Sequence, residues 1–193
     1  MGSDGTAHDM HPDLALGAGF GYARMMISVL IETMNDEPAL AHTLAALVEG
    51  AVEGVVREVI ICDGGSGDHS RALADEAGCV WLDAGGIAAG IARAKGDWLL
   101  ILEPGAILAR GWVEDAMVHC SRSQMAARFA RSRHAQRPLL SRLLGRNPAL
   151  AEGLLIRKSQ AASLAQTAKS GEAIARGLAS KRLAAEIVPA DRG

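Results

Sequence analysis

Short, β-branched apolar runs alternate with helical-period segments over the first hundred residues, and this rhythm restricts the fold more than any other feature. The runs are 26–31 (MISVLI), 58–62 (EVIIC), 79–82 and 97–102 (DWLLIL). Each is too short for a buried helix and too continuously apolar for a half-exposed strand. They read as buried strands of a parallel sheet. Between the first two, Asp36 is placed as an N-cap and Pro38 in a first helical turn. Leu40, Leu44, Leu47 and Val48 then recur at helical spacing, and Gly50 or Gly54 closes the segment. A second helix is predicted over 70–77, stopped by Gly78. A third, over 87–94, follows Gly85-Gly86 and stops at Gly96. Strand and helix in alternation form βαβ units, and these bury a mainly parallel sheet between two helical layers. Ligands in such sheets bind at the carboxyl ends of strands, beside a reversal of strand order. The loops after Ile31, Cys62 and Leu102 are therefore the ones to inspect.

The second half gives weaker periods. Helices are predicted over 112–120, 138–144 and 172–178, and strands over 125–130, 153–156 and 183–188. Basic residues gather here: Arg122, Arg128, Arg131, Arg133, Arg137, Arg142, Arg146, Arg157 and Lys158. They form either a solvated face or a surface for an anionic headgroup or sugar phosphate. Residues 1–24 carry five glycines, two histidines (His8 and His11) and no lasting period. They read as a leader outside the folded domain, which spans 25–190 in two halves, 25–109 and 110–190.

Composition excludes several classes. A net charge of -2 argues against a nucleic-acid binder that works by neutralising phosphates. No apolar run approaches the roughly 20 residues of a membrane-spanning helix. Cys62, Cys79 and Cys120 are widely spaced and contain no CxxC pair, so they read as small buried hydrophobes in a reducing cytosol.

The loop Asp63-Gly64-Gly65-Ser66-Gly67-Asp68 is the strongest local signal. Asp63 ends a strand, the glycines let backbone approach a ligand closely, and Ser66 and Asp68 offer hydrogen bonds. The same residues also make an ordinary βα turn with Asp68 or Ser70 capping the next helix. No Gly-Lys-Ser/Thr follows, so it is no P-loop, and GxGxxG is absent.

Three ordered segments resemble family 2 glycosyltransferases. Residues 27–37 (ISVLIETMNDE) are similar to the family's I-S-V-I-I-P-T-x-N-E. Residues 58–68 (EVIICDGGSGD) are similar to E-V-I-V-V-D-G-G-S-x-D. Residues 92–102 (ARAKGDWLLIL) are similar to the A-x-G-D-W-L-L-F-L strand, and Gly111-Trp112 matches a Gly-Trp that often follows. The likeness covers 26–120 and is greatest to short bacterial members built as single soluble domains. It implies a GT-A fold, a three-layer α/β/α sandwich that binds a nucleotide-sugar donor. By the same resemblance Thr33, Asn35 and Glu37 line the nucleotide pocket, Asp63 bonds the base within the Gly64, Gly65 and Ser66 turn, and Asp68 supports that loop. Gly85, Gly86 and Arg93 lie near the diphosphate or ribose.

The family's metal-binding Asp-x-Asp aligns with Glu103-Pro104-Gly105, so the second carboxylate is replaced by glycine. Glu103, alone or with Glu32 (where the family has Pro), is the candidate ligand set for Mg²⁺ or Mn²⁺. Pro and Gly also suit a plain turn there. The acidic base expected on a later helix is not clear. Glu172 is the nearest candidate and Glu152 the next, each also readable as a helix N-terminal or surface residue; His119 and His134 are further possibilities. Two functions follow: transfer of a sugar, with inversion, to a hydroxyl acceptor, or a degenerate nucleotide-binding module. A nucleotidyltransferase lacks its glycine-rich basic loop. The expected setting is cytoplasmic, at most peripheral to the inner face of the membrane, with a homodimer permitted.

Overall fold

A computed structural model describes residues 26–133 and 148–191. The expected leader, the helix predicted at 138–144, and Arg137, Arg142, Arg146 and His134 lie outside them. The elements are β1 (Ile27–Thr33), α1 (Glu37–Val52), β2 (Val56–Asp63), α2 (Ser70–Glu76), β3 (Val80–Leu82), α3 (Gly86–Arg93), β4 (Trp98–Leu102), β5 (Ile107–Leu108), α4 (Trp112–Arg122), β6 (Ala126–Arg131), β7 (Leu154–Arg157), α5 (Lys158–Leu164), α6 (Gly171–Ala175) and β8 (Ser180–Val188). The strands form one sheet in the order β3-β2-β1-β4-β7-β6-β8-β5.

The first four strands are parallel, as the βαβ rhythm dictates. Beyond β4 the sheet is mixed: β7 runs antiparallel to both β4 and β6, β6 and β8 are parallel, and β5 closes the edge antiparallel to β8. The expected parallel order therefore holds over the first four strands, and the sheet as a whole is mixed.

Alternation along the strands feeds two cores. Val29 and Ile31 pack with Leu40, Leu47, Trp112 and Phe129 under α1, α2 and α4. Leu30, Leu99 and Ile101 pack with Ile87, Ile91, Ala161 and Ile174 under α3, α5 and α6. The result is the α/β/α sandwich expected from the resemblance.

Several local expectations change. Helix α1 does not stop at Gly50. A Cβ there would lie 2.7 Å from Trp112 Cζ2 and from Val56 Cγ2, so this glycine is a packing contact inside the helix, and the chain turns at Gly54 with φ +70°. Asp36 does begin α1, but its carboxylate turns back to accept from Met34 N at 3.0 Å instead of capping the helix. Helix α6 ends at Ala175, short of the predicted 178, because extended backbone at Arg176 and positive φ at Gly177 break it. β5 and α5 were not anticipated: two residues make too short a period, and 158–164 holds no apolar stripe.

Candidate functional site

The parallel register sets the site. Thr33 pairs with Asp63 across β1 and β2, and Ile31 pairs with Leu102 across β1 and β4. Thr33, Glu32, Asp63 and Glu103 therefore stand on one edge, at the carboxyl ends of three neighbouring strands. With about 4.8 Å between strands, the backbones of Asp63 and Glu103 lie about 10 Å apart.

The loops after β1 and β2 are fastened to each other. Gly64 N donates to Thr33 O (2.8 Å). Asn35 N donates to Ser66 Oγ (2.9 Å), and Gly67 N donates to Asn35 Oδ1 (2.7 Å). Glu37 N, at the start of α1, donates to Asp68 Oδ2 (3.1 Å), so that helix is capped by the neighbouring loop. Asn35 adopts φ +57°, a left-handed conformation that Asn tolerates better than most residues. Asp63 closes the turn from below: its carboxylate accepts from Ser66 Oγ (2.6 Å), Ser66 N (3.0 Å) and Gly65 N (3.0 Å).

These bonds set the charge state. Slight burial pushes the Asp63 carboxyl up, but the hydroxyl and amide of Ser66, with the amides of Gly65 and Gly64, hold it below the usual carboxylate range. Asp68 is held low by the Ser70 hydroxyl first, then by the amides of Ser70 and Glu37. Two ionised carboxylates thus support the cradle floor, while Glu37 faces His69 Nδ1 at 3.5 Å on its rim.

Gly85 (φ +88°) and Gly86 (φ +53°) turn the chain into α3 beside this edge. Arg93 is not brought to it. The eight residues of α3 carry Arg93 about 12 Å back to the opposite edge. There its guanidinium faces Glu58 at 3.8 Å.

The cation site does not assemble as a pair. Gly105 has φ +90°, and its N–H donates to Ala39 O (2.9 Å) and Thr43 Oγ1 (2.8 Å). A Cβ there would meet Ala190 Cβ at 3.3 Å and Ala39 Cβ at 3.5 Å. The turn reading of Glu103-Pro104-Gly105 therefore describes its backbone. Glu103 is only 6 % exposed. Glu32 accepts from the amide of Gly171 (2.7 Å). Among the described residues no three His, Cys, Asp or Glu side chains gather to hold a metal. Two carboxylates therefore do not converge here to chelate Mg²⁺ or Mn²⁺ between them. Restoring the missing carboxylate with Gly105→Asp is expected to cost about 1–3 kcal/mol, because positive φ strains any side chain. Chemical denaturation would show it as a lowered midpoint, and an unchanged midpoint would contradict the strain.

Glu172 is built into the second half. Its oxygens accept from Ala149 N and Leu150 N, both at 2.9 Å, and meet Arg176 at 3.2 Å. Partial burial raises its carboxyl, but those two amides and Arg176 bring it below the usual range. That suits a strut better than a base, whose pKa belongs nearer neutrality. Glu152 pairs with Arg182 at 3.3 Å. His119 is buried against Trp98, with Nε2 on Met125 O (2.8 Å). The basic cluster is partly internal too: Arg128 donates to Ser180 Oγ and to the carbonyls of Ala149 and Ala175, and Arg157 stacks on Trp98 at 5.0 Å. Burial pushes the Cys62 thiol up to about 12, with the Glu32 charge adding to it, so Cys62 is no nucleophile.

A shallow groove of about 320 Å³ lies elsewhere, between α4 and β8, lined by Arg110, Glu114, Asp115 and Ala185. Gly111 N on its rim donates to Glu49 Oε1, near the far end of α1 from the cradle.

Residues 28–123 match the model of glycosyl transferase family 2. No curated protein matches the chain by sequence. Among solved structures, a Mycobacterium tuberculosis glucosyl-3-phosphoglycerate synthase in complex with Mn²⁺, UDP and glucosyl-3-phosphoglycerate is similar with a TM-score of 0.62 at 17 % identity. That likeness covers 88 % of this chain and 73 % of the synthase. S. aureus TarS (residues 1–349) in complex with UDP-GlcNAc is similar with a TM-score of 0.64 at 16 % identity, over 88 % of this chain and 59 % of that one. Identities this low speak for the fold: both proteins share the architecture described above.

Proposed function

We propose that this chain, a family 2 glycosyltransferase-like protein with a GT-A fold, moves a sugar from a nucleoside-diphosphate donor to a hydroxyl acceptor. One observation carries the reading. The loops after β1 and β2 are already bonded into a single cradle, at the strand ends where such sheets bind ligands. In this reading Asp63 faces the nucleobase, Thr33, Asn35 and Glu37 flank the nucleoside, and the diphosphate lies toward Gly85-Gly86. The sugar then extends over the end of β4. The acceptor oxygen attacks the anomeric carbon as the bond to the diphosphate breaks. The nucleoside diphosphate leaves, the hydroxyl proton passes to a base, and a single displacement inverts the centre. No step is routed through a cation, because no carboxylate pair converges to hold one.

Calorimetric titration with UDP and GDP tests this. Saturable binding of one of them, and its release from the matching UDP- or GDP-sugar on addition of acceptors, is the expected result; no binding of either overturns the reading. Binding is expected to stay within about twofold between EDTA and excess Mn²⁺, since no chelated pair is present to bridge metal and diphosphate. Tightening of tenfold or more would contradict that.

A second reading, a nucleotide-binding module without turnover, is favoured by Gly105 and by the strut role of Glu172. It predicts binding with no release of nucleotide from any donor. A cytoplasmic setting is part of the proposal. No helix among the described residues is long and apolar enough to cross a membrane. Neither lipid contact nor a homodimer enters this reading.

A further inference from the structure

Glu32 is a carboxylate on the site edge that reaches across the molecule. Its Oε2 accepts from Gly171 N at 2.7 Å, a partner 139 residues away in sequence. The Ile87 amide, in the first turn of α3, faces the same carboxylate and favours its charged form. Two segments from different halves of the chain thus converge on one half-buried acidic group, and backbone amides hold it. Proline, the residue usual at this place in the family motif, offers no side-chain acceptor. The fit at Gly171 is close: a Cβ there would lie 2.8 Å from Ile101 Cγ2 and 3.3 Å from Glu32 Oε2. Helix α6 therefore sits directly on β4, next to the strand end over which the donor's sugar lies in the proposed function. Its other contacts point the same way. Glu172, the second residue of α6, holds the amides of Ala149 and Leu150. Leu150 in turn packs with Ile101 and Ile174. Moving α6 would move this whole flank of the crevice.

We infer that Glu32 is a positioning residue, which ties α6 to the nucleotide-binding half and so fixes the wall that meets the donor's sugar. The inference rests on the proposed function for the sugar's place and on geometry alone for the tie. The nucleoside end is held by the β1 and β2 loops, which Glu32 does not touch through its side chain. Loss of the tie therefore separates two affinities that a general loss of structure would lower together.

The test uses Glu32→Gln, which keeps shape but offers one acceptor oxygen in place of two, and Gly171→Ala, which pushes α6 away with Glu32 intact. In the ligand-free chain, amide exchange at 171–175 and 149–151 is expected to rise about tenfold in both variants, while β1, β2 and β4 keep their protection. With UDP and UDP-GlcNAc as probes, UDP affinity is expected to stay within about twofold of wild type. Any preference of wild type for UDP-GlcNAc over UDP is expected to fall about tenfold in both variants. Unchanged exchange at 171–175 in Glu32→Gln overturns the tie. Faster exchange with the preference intact, or both affinities falling together, overturns the positioning role. Absence of a preference in wild type overturns it as well. Wild-type protein that binds neither probe removes the proposed function and the positioning role with it, whatever the exchange shows.

Discussion

Asp63→Ala is expected to weaken UDP binding about 10- to 100-fold, the loss that follows when bonds to a charged group worth about 1.5–3 kcal/mol are removed. The effect has two sources. In the proposed function a contact to the nucleobase disappears, and the cradle loses its floor. Ser66 Oγ and the amides of Gly65 and Ser66 lose their acceptor. Ser66 Oγ is also the acceptor for Asn35 N, so the damage passes to the β1 loop. Asp63→Asn, which keeps one acceptor oxygen, should fall between alanine and wild type. The pH dependence has a definite sign. The native carboxyl lies below its ordinary value of 3.8. Its ionised form therefore supports the loop at all pH above that value, and the support is lost only as pH falls through the depressed native value. Binding that ignores Asp63→Ala, staying within about twofold, would mean the nucleotide lies elsewhere.

The largest stability effect is expected far from the site. Trp98 is fully buried at the start of β4, edge-on to His119 with ring centroids 5.8 Å apart and covered by the Arg157 guanidinium at 5.0 Å. Among the described residues its indole N–H has no hydrogen-bond partner, so truncation removes packing and leaves no orphaned acceptor among them. Trp98→Ala is expected to cost about 3–5 kcal/mol. For a chain of this size that lowers Tm by about 6–20 °C. UDP affinity of the folded protein should not change, because Trp98 stands at the opposite end of β4 from Glu103. A calorimetric scan with and without UDP reads both quantities. A drop of less than about 1 kcal/mol would show that His119 and Arg157 close the gap.

The two variants separate what the sequence made legible from what it did not. The first four strands could be read because each is a short apolar run with a loop at each end. Ile27, Val29, Leu30 and Ile31 are all within 1 % of full burial, and the one polar residue among them, Ser28, is buried too and bonded to Glu58 and to the amide of Gly96. Asp63 stands out in the sequence because it ends a strand and Gly64-Gly65 follows, a pattern that also suits an ordinary βα turn. The second half hides its order because its contacts are non-local and polar. β8 begins with Ser180-Lys181-Arg182, which reads as loop, yet these residues pair with β6. Arg128 looks like surface charge but spends its guanidinium on two carbonyls and a hydroxyl. Glu172 looks like a free helix-start acid and instead secures the amides of 149 and 150. Spacing along the chain carries no trace of a bond between residues 32 and 171. Arg93 failed for a geometric reason: adjacency in sequence to a glycine turn is undone by one short helix.

The central claim is that the β1 and β2 loops already form one nucleotide cradle, and amide exchange with and without UDP, in EDTA, examines it most directly. The account predicts slowed exchange at 33–37 and 63–70, with a smaller effect at 85–87 and none along α4. Protection confined to the groove around Arg110 and Glu114, or no protection at saturating UDP, would contradict it.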